Sequence, residues 1–501
     1  MKPVSAADYT IAVVGAGAMG QGIAQVAVQG GVTTLLFDTR PGGAAEAAAQ
    51  IGKRIDRLVE KGRIGEEDAT SAKSRLQSAD EIGALAACDA VIEAVFESYE
   101  VKAEVFQQIE DIVSKDCIIA SNTSSIPIAS IARNCKQRDR VAGMHFFNPV
   151  PLMKLVEVIR AAETSEATVA ALVELGKRMT RVPVTVADMP GFLVNMGGRA
   201  FTTEALRIAH EDVARPEQID AVMKECRHFR MGPFELMDLT GIDINFPASG
   251  IIYDGYMQDP RIKTAPNHEA MFNSGQFGRK TGSGWYRYAD GKMVDAPSAD
   301  HLSDAAPATR VALAEADDAL ASLCQQLGIT IGDDDGRCPI LAAPFGDDAT
   351  HTAVRTGADH RRLVCVDLSC DPSRRLTIMT APGADPASRD AVAAAMVAAG
   401  RAVTAIKDSP GFIAQRMAAM IANLGCYMAE VALATPEDID LAMKLGLNYP
   451  HGPLELAADL GPQRCLRILE RLQAITGEDR YRPTQWLKRR ALLGLPIHTP
   501  S

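Results

Sequence analysis

The chain opens with a short apolar run rich in β-branched residues, Thr10-Ile-Ala-Val-Val14, followed by a glycine cluster and a helix-forming stretch at 22–30. A run without polar alternation suits a strand buried on both faces of a parallel sheet. Comparable runs recur at 33–38, 89–96, 117–121, 140–145 and 155–159. Helical periodicity fills the intervals. Within 41–80, Ile51, Ile55, Leu58 and Val59 fall on one face, and 101–113 reads as a further helix. This alternation predicts a doubly wound parallel α/β sheet, with ligands beyond the carboxyl ends of its strands.

From residue 188 the pattern becomes helical alone. Asp188-Met-Pro-Gly-Phe-Leu-Val-Asn195 opens the region with a Pro-Gly break, and Phe201, Leu206, Ile208 and Ala209 follow at helical spacing. Pro216-Glu-Gln-Ile-Asp220 and Gly232-Pro-Phe-Glu235 come next. The same series returns 220 residues later as Asp408-Ser-Pro-Gly-Phe-Ile-Ala-Gln415, Pro436-Glu-Asp-Ile-Asp440 and Gly452-Pro-Leu-Glu455. A register held over so long a stretch predicts an internal duplication. Between the copies, 290–312 reads as an Ala-, Asp-, Pro- and Ser-rich linker. Strand-like runs at 339–343, 362–367 and 375–379, with a helix-like run at 391–399, then predict an α/β layer without a glycine turn. The expected domains are 1–187, 188–289, 290–405 (linker and degenerate α/β domain) and 406–501.

Composition narrows the function. A net charge of -11 weighs against a general nucleic-acid binder, and no apolar run is long enough to span a bilayer. The first residues lack the basic, apolar and cleavage regions of a signal peptide. Ten cysteines without a CxxC pair suit the thiols of a reducing compartment, so a cytoplasmic protein without a structural metal is expected.

Three stretches carry candidate chemistry. Gly15-Ala-Gly17-Ala18-Met19-Gly20 lies between a strand and a helix, where glycines allow a tight turn, close approach of a pyrophosphate and close helix–strand packing. Asp38 ends the next strand, where an acid meets ribose hydroxyls; this favours NAD over NADP, although Arg40 lies close by. His145-Phe-Phe-Asn148-Pro-Val-Pro-Leu-Met-Lys-Leu-Val-Glu157 offers an imidazole and a carboxylate, a common general-base pair. Ser121-Asn-Thr-Ser124-Ser125 ends a third strand and reads equally as a turn or helix cap. The basic face of Lys53, Arg54, Arg57, Lys61 and Arg63 is either solvated surface or a grip on an anionic substrate.

Together these motifs resemble the NAD-dependent L-3-hydroxyacyl-CoA dehydrogenase family, as does Gly278-Arg-Lys280-Thr-Gly-Ser-Gly-Trp-Tyr286. The likeness covers residues 8 to about 288 and returns over 406–461. The long form, with its second helical copy, resembles the dehydrogenases of phenylacetate degradation that act on 3-hydroxyadipyl-CoA. The resemblance implies a Rossmann-type N-terminal domain and a duplicated all-α domain of the 6-phosphogluconate-dehydrogenase C-terminal type. It implies His145 as catalytic base, Glu157 as its partner, Ser124 at the substrate hydroxyl and cofactor, and Asn195 completing the site from the helical domain. NAD would lie on Gly15, Gly17, Ala18, Met19, Gly20, Asp38, Glu97, Lys102, Ser124, Asn148 and Lys280. An acyl-CoA would meet Ser124, Asn195, Lys53 and Lys61. Short relatives pair through their helical domains, so here the two copies are expected to pair within one chain; further homodimerisation is left open. A dehydrogenase of a free β-hydroxy acid or sugar acid, and a non-catalytic NAD-binding protein, remain the alternatives.

Overall fold

In the computed structural model, residues 1–500 are described. The chain forms two compact units. One comprises Met1–Met196 and Val431–Leu447, the other Gly197–Glu430 and Asn448 onward.

The first unit is built on an eight-stranded sheet of β1 (Thr10–Val14), β2 (Thr33–Phe37), β3 (Leu76–Ala79), β4 (Ala90–Glu93), β5 (Ile118–Ser121), β6 (Val141–Phe146), β7 (Leu155–Arg160) and β8 (Val182–Ala187). The spatial order is β3-β2-β1-β4-β5-β6-β7-β8. The apolar runs lie where burial is complete: β4, β5 and β6 are buried along their whole length. Helices α1 (Ala18–Gln29), α2 (Gly43–Glu60), α3 (Glu66–Ser74) and α4 (Tyr99–Ile112) form the crossovers. Ile51 and Ile55 face inward from α2 into the common core with Ile11, Ile23 and Leu36. Each such side chain contributes about 1.5–3 kcal/mol by leaving water.

Two features depart from the expected parallel sheet. First, β7 runs antiparallel to β6. The residues between them, 147–154, are too few for a parallel crossover, which takes about a dozen or more. Second, β3 and β8 are edge strands that the apolar pattern does not show. Leu76-Gln-Ser-Ala79 is half polar, and β8 carries Pro183, which an edge tolerates because one side of its ladder is unpaired. The reversal has a functional result: it sets His145 directly opposite Glu157 in the ladder.

The second copy of the helical motif contributes to this first unit. Ala187 N–H at the end of β8 donates to Leu433 O (2.8 Å), and the helix Pro436–Leu447 packs by β7 and β8.

The second unit contains a hairpin of β9 (Arg287–Ala289) and β10 (Lys292–Val294) and a six-stranded sheet. The sheet strands are β11 (Arg310–Leu313), β12 (Thr330–Ile331), β13 (Ile340–Ala342), β14 (Leu363–Val366), β15 (Arg375–Met379) and β16 (Ala402–Ile406), in the order β12-β11-β13-β14-β15-β16. It repeats the antiparallel step, at β14–β15. Here the exchange runs the other way. Lys407 N–H, just past β16, donates to Val213 O (3.0 Å) in the first helical copy. Within this unit helix Arg199–His210 packs on helix Ala414–Glu430, and the buried Arg416 guanidinium bonds Glu204 (2.9 Å) and Glu211 (2.9 Å). Both copies begin with the same backbone turn, Gly191–Phe192 and Gly411–Phe412, with all four residues at positive φ.

Among the described residues no helix is long and apolar enough to cross a membrane, and all ten cysteines are free thiols.

Candidate active site

The dinucleotide turn follows β1. Gly15 has φ +104°, and a Cβ there would lie 2.5 Å from Ala94 O. A Cβ on Gly20 would lie 1.8 Å from Gly15 O, so helix and turn touch directly. Gly17 is different: a Cβ there meets nothing within 4 Å. That open space lies at the start of α1, where the N–H groups of Ala18, Met19 and Gly20 precede the helix's own bonding. Free N–H groups and the positive helix end suit a pyrophosphate. Asp38, at the end of β2, accepts from Ala16 N (2.7 Å) and Arg40 N (2.9 Å), which fixes its carboxylate beside the turn. The Arg40 guanidinium turns instead to Glu46 (2.8 Å). These residues therefore fit a dinucleotide.

The His145–Glu157 pair lies in the same unit. His145 Nδ1 lies 2.6 Å from Glu157 Oε2, and both side chains are buried. The bond dedicates Nδ1 to the carboxylate and leaves Nε2 as the nitrogen for proton transfer. Phe147 and Phe192 flank the imidazole, with ring centroids 4.5 and 6.0 Å away. The other oxygen of Glu157 accepts from Leu193 N (3.0 Å) and Val194 N (2.9 Å). Glu157 thus ties the strand bearing its own backbone to the segment that ends in Asn195. Asn195 falls in the same compact unit as His145, and its Nδ2 lies 3.4 Å from Ser124 O.

Ser124 is held from the other side by Glu97. Glu97 Oε1 accepts from Thr123 Oγ1 (2.7 Å), Ser124 N (2.9 Å), Ser125 Oγ (3.2 Å) and Ser124 Oγ (3.3 Å). Burial alone would raise the Glu97 carboxyl, but the Thr123 hydroxyl, the Lys102 ammonium and the Ser124 N–H outweigh it and hold it below the usual range. Lys102, expected at the cofactor, stands behind Glu97. Its ammonium is 1% exposed and pairs with Glu93 (2.7 Å) and Glu97 (3.2 Å). Asn148 is exposed in the turn after β6, and Lys53 and Lys61 are exposed on and just after α2. Lys280 lies in the second unit and pairs with Asp243.

Sequence reasoning missed Asn122 and Glu93. Asn122 Oδ1 accepts from Phe146 N (2.8 Å), locking the strand next to His145. Glu93 is a lone acid in an apolar strand; that mismatch was its one available signal.

The second sheet lacks this chemistry. At its matching antiparallel step, Asp367 N–H bonds Thr377 O (2.9 Å), so these two stand where the first sheet has His145 and Glu157. Gln415, which replaces Asn195, is consumed by Asp367 Oδ1 (3.0 Å), Pro344 O (3.0 Å) and Gly346 N (2.8 Å). After β11 the turn carries Glu315, bound to Arg355, and Asp317, which caps the next helix; both repel a pyrophosphate.

A model of the 3-hydroxyacyl-CoA dehydrogenase NAD-binding domain matches residues 10–189, and one of its C-terminal domain matches 191–288 and again 411–496. The chain belongs to the 3-hydroxyacyl-CoA dehydrogenase family. The double match of the C-terminal domain coincides with the duplication. Within the family the chain is 37% identical to the 3-hydroxyadipyl-CoA dehydrogenase of Escherichia coli, over 97% of this chain and 98% of that protein. It is 37% identical to the pig mitochondrial hydroxyacyl-coenzyme A dehydrogenase, over 56% of this chain and 90% of that one. The crystal structure of an Escherichia coli 3-hydroxybutyryl-CoA dehydrogenase superposes with a TM-score of 0.85 at 34% identity, covering 97% of this chain and 98% of that chain.

Proposed function

We propose that the protein oxidises the 3-hydroxyl of an L-3-hydroxyacyl-CoA to the 3-oxo group, reversibly and with NAD, through one active site in its N-terminal unit. The observation that carries this reading is the buried His145–Glu157 pair, fixed in one unit with Ser124, Asn195 and the dinucleotide turn. Binding a dinucleotide requires no base, so the pair argues against a purely structural role.

NAD, when bound, supplies the hydride acceptor. The chain does the rest. His145 Nε2 takes the proton of the substrate hydroxyl, and in reverse returns it to the carbonyl oxygen. Glu157 keeps the proton of the neutral ring on Nδ1 and stabilises the imidazolium that forms. Ser124 and Asn195 hold the reacting oxygen, and the aromatic rings beside His145 exclude water.

The substrate is proposed to be an acyl-CoA rather than a free acid, and 3-hydroxyadipyl-CoA is the first candidate because the full-length relative bears that name. Because Asp38 is fixed beside the turn and Arg40 is engaged by Glu46, NADH is expected to be preferred over NADPH. A cytoplasmic setting is proposed from the free thiols.

One assay tests the reading: reduction of acetoacetyl-CoA and 3-oxoadipyl-CoA with NADH or NADPH, by wild type and His145→Gln. The variant is expected to lose about 10²–10⁴ in kcat while still binding NADH. Near-normal turnover would remove His145 from the mechanism, and equal rates on the free 3-oxo acid would remove coenzyme A from the substrate.

A further inference from the structure

We propose that Lys102 is a positioning residue: paired with Glu93, it anchors Glu97, and through Glu97 it sets the Ser121–Ser125 turn that presents the Ser124 hydroxyl. Strand ends β4 and β5, the first turn of α4 and this turn meet at three charged groups. Glu93 is fully buried and both of its carboxylate oxygens are engaged. Oε1 takes Lys102 Nζ (2.7 Å) and Val95 N (2.7 Å), and Oε2 takes Ser121 Oγ (2.6 Å). Ser121 is also its ladder partner across β4–β5. Lys102 is the buried middle member, and Glu97, 37% exposed, is the outer one.

The division of Glu97 explains the design. Oε2 meets Lys102, so Oε1 is the oxygen left to collect donors from Thr123, Ser124 and Ser125. A carboxylate with one oxygen pinned cannot swing. The turn is fixed by the Thr123 hydroxyl and the Ser124 N–H, both at ordinary distances. The Ser124 hydroxyl itself is held at 3.3 Å, longer than a good O–H···O bond. Its backbone is therefore rigid while its hydroxyl is the loosest donor in the cluster, free to reorient toward a reacting oxygen without moving the chain. That is preorganisation of a donor by a second layer of charged groups. Without the ammonium, Glu97 would lose its pin and Glu93 would be left as an unpaired buried charge.

The proposal rests on the role given to Ser124 above, and the test separates the two. The full-length chain is compared as wild type, Glu93→Gln/Lys102→Met, Glu97→Gln, the triple variant and Ser124→Ala, in kcat, KM and thermal midpoint. The double variant removes both buried charges together, so no uncompensated ion remains in the core. It is expected to lower kcat about tenfold or more, as a small misplacement does, with the KM for acetoacetyl-CoA within about twofold. Glu97→Gln should lower kcat to a similar degree, and the triple variant no further, because the groups act as one chain. Multiplying losses, or wild-type kcat in the double variant, would overturn the proposal. Should the double variant not fold, Glu97→Asp serves in its place: the shorter, part-exposed side chain cannot span Lys102 and Ser124 at once, and wild-type kcat there would also overturn it. Full turnover in Ser124→Ala would instead remove the reading of Ser124 on which the proposal stands.

Discussion

The two oxygens of Glu157 do separate work, and a single substitution can divide them. Oε2 fixes the His145 tautomer, and Oε1 receives two buried N–H groups. In Glu157→Gln the amide oxygen must stay on Leu193 and Val194, because an NH2 group there would face two donors. The NH2 then faces His145 Nδ1 and requires that nitrogen to accept. The ring proton moves to Nε2, and the base is blocked at the atom that should receive the hydroxyl proton. We expect kcat to fall by about 10²–10⁴ with little change in thermal midpoint. Glu157→Ala leaves both N–H groups unanswered, at about 1–3 kcal/mol each, and should lower the midpoint clearly. Melting curves beside steady-state rates check this; a Gln variant as unstable as the Ala variant would mean that the anchor, not the tautomer, dominates.

At the scale of elements, the helix Pro436–Leu447 shows how far the site reaches. A Cβ on Gly446 would approach the Val194 methyls at 3.1 Å and Leu155 at 3.2 Å. Val194 precedes Asn195 and donates to Glu157, and Leu155 begins β7, which carries Glu157. Gly446→Leu should therefore push on both supports of Glu157 and cut kcat at least about tenfold, although the residue lies in the second copy of the motif. Unchanged rates in a folded Gly446→Leu protein would show that helix to be a passive cover. The helices Ile242–Gly255 and Pro266–Asn273 carry a different dependence. His268 is buried between Asn245 (2.6 Å) and Thr264 (2.9 Å), and burial, then the nearby Arg199, lowers its pKa to about 4. The unfolded ring, near 6.5, binds the proton first, so stability is present above about 6.5 and is lost as pH falls toward 4, by about 3 kcal/mol at most. Urea midpoints from pH 7 to 5 should fall in wild type and fall less in His268→Gln; parallel curves would exclude the ring as the source. Legibility in the sequence follows the range of each interaction. The β1–glycine–α1 turn is local, and its glycines meet the steric demands they suggest. The direction of β7 was also local, written in the shortness of 147–154, yet apolar pattern alone does not report direction. Edge strands β3 and β8 are half-polar or interrupted by proline, so they lack the signal. Lys102 matched a cofactor motif, but its burial depends on α4 closing over Glu93, which no spacing records.

For the whole molecule, the duplication distributes support between the halves. The first sheet borrows the backbone of Leu433 and the helix Pro436–Leu447 from the second copy, while the second sheet receives Val213 from the first. Within the second unit, Arg416 is buried on Glu204 and Glu211, and Tyr449 packs edge-on against Phe229, which stacks on Phe201. A chain cut after residue 289 keeps His145, Glu157, Ser124 and Asn195, and so should still bind NADH. It loses the helix behind Val194, leaves Glu204 without Arg416, and leaves the Phe201–Phe229 pair without Tyr449. An exposed apolar face with an unpaired buried acid favours association. The truncated chain should therefore aggregate or dimerise and turn over slowly, and co-expressed residues 290–501 should restore both solubility and rate. Light scattering with steady-state kinetics reads both effects. A truncated chain that stays monomeric and fully active would show that the second half does not support the site.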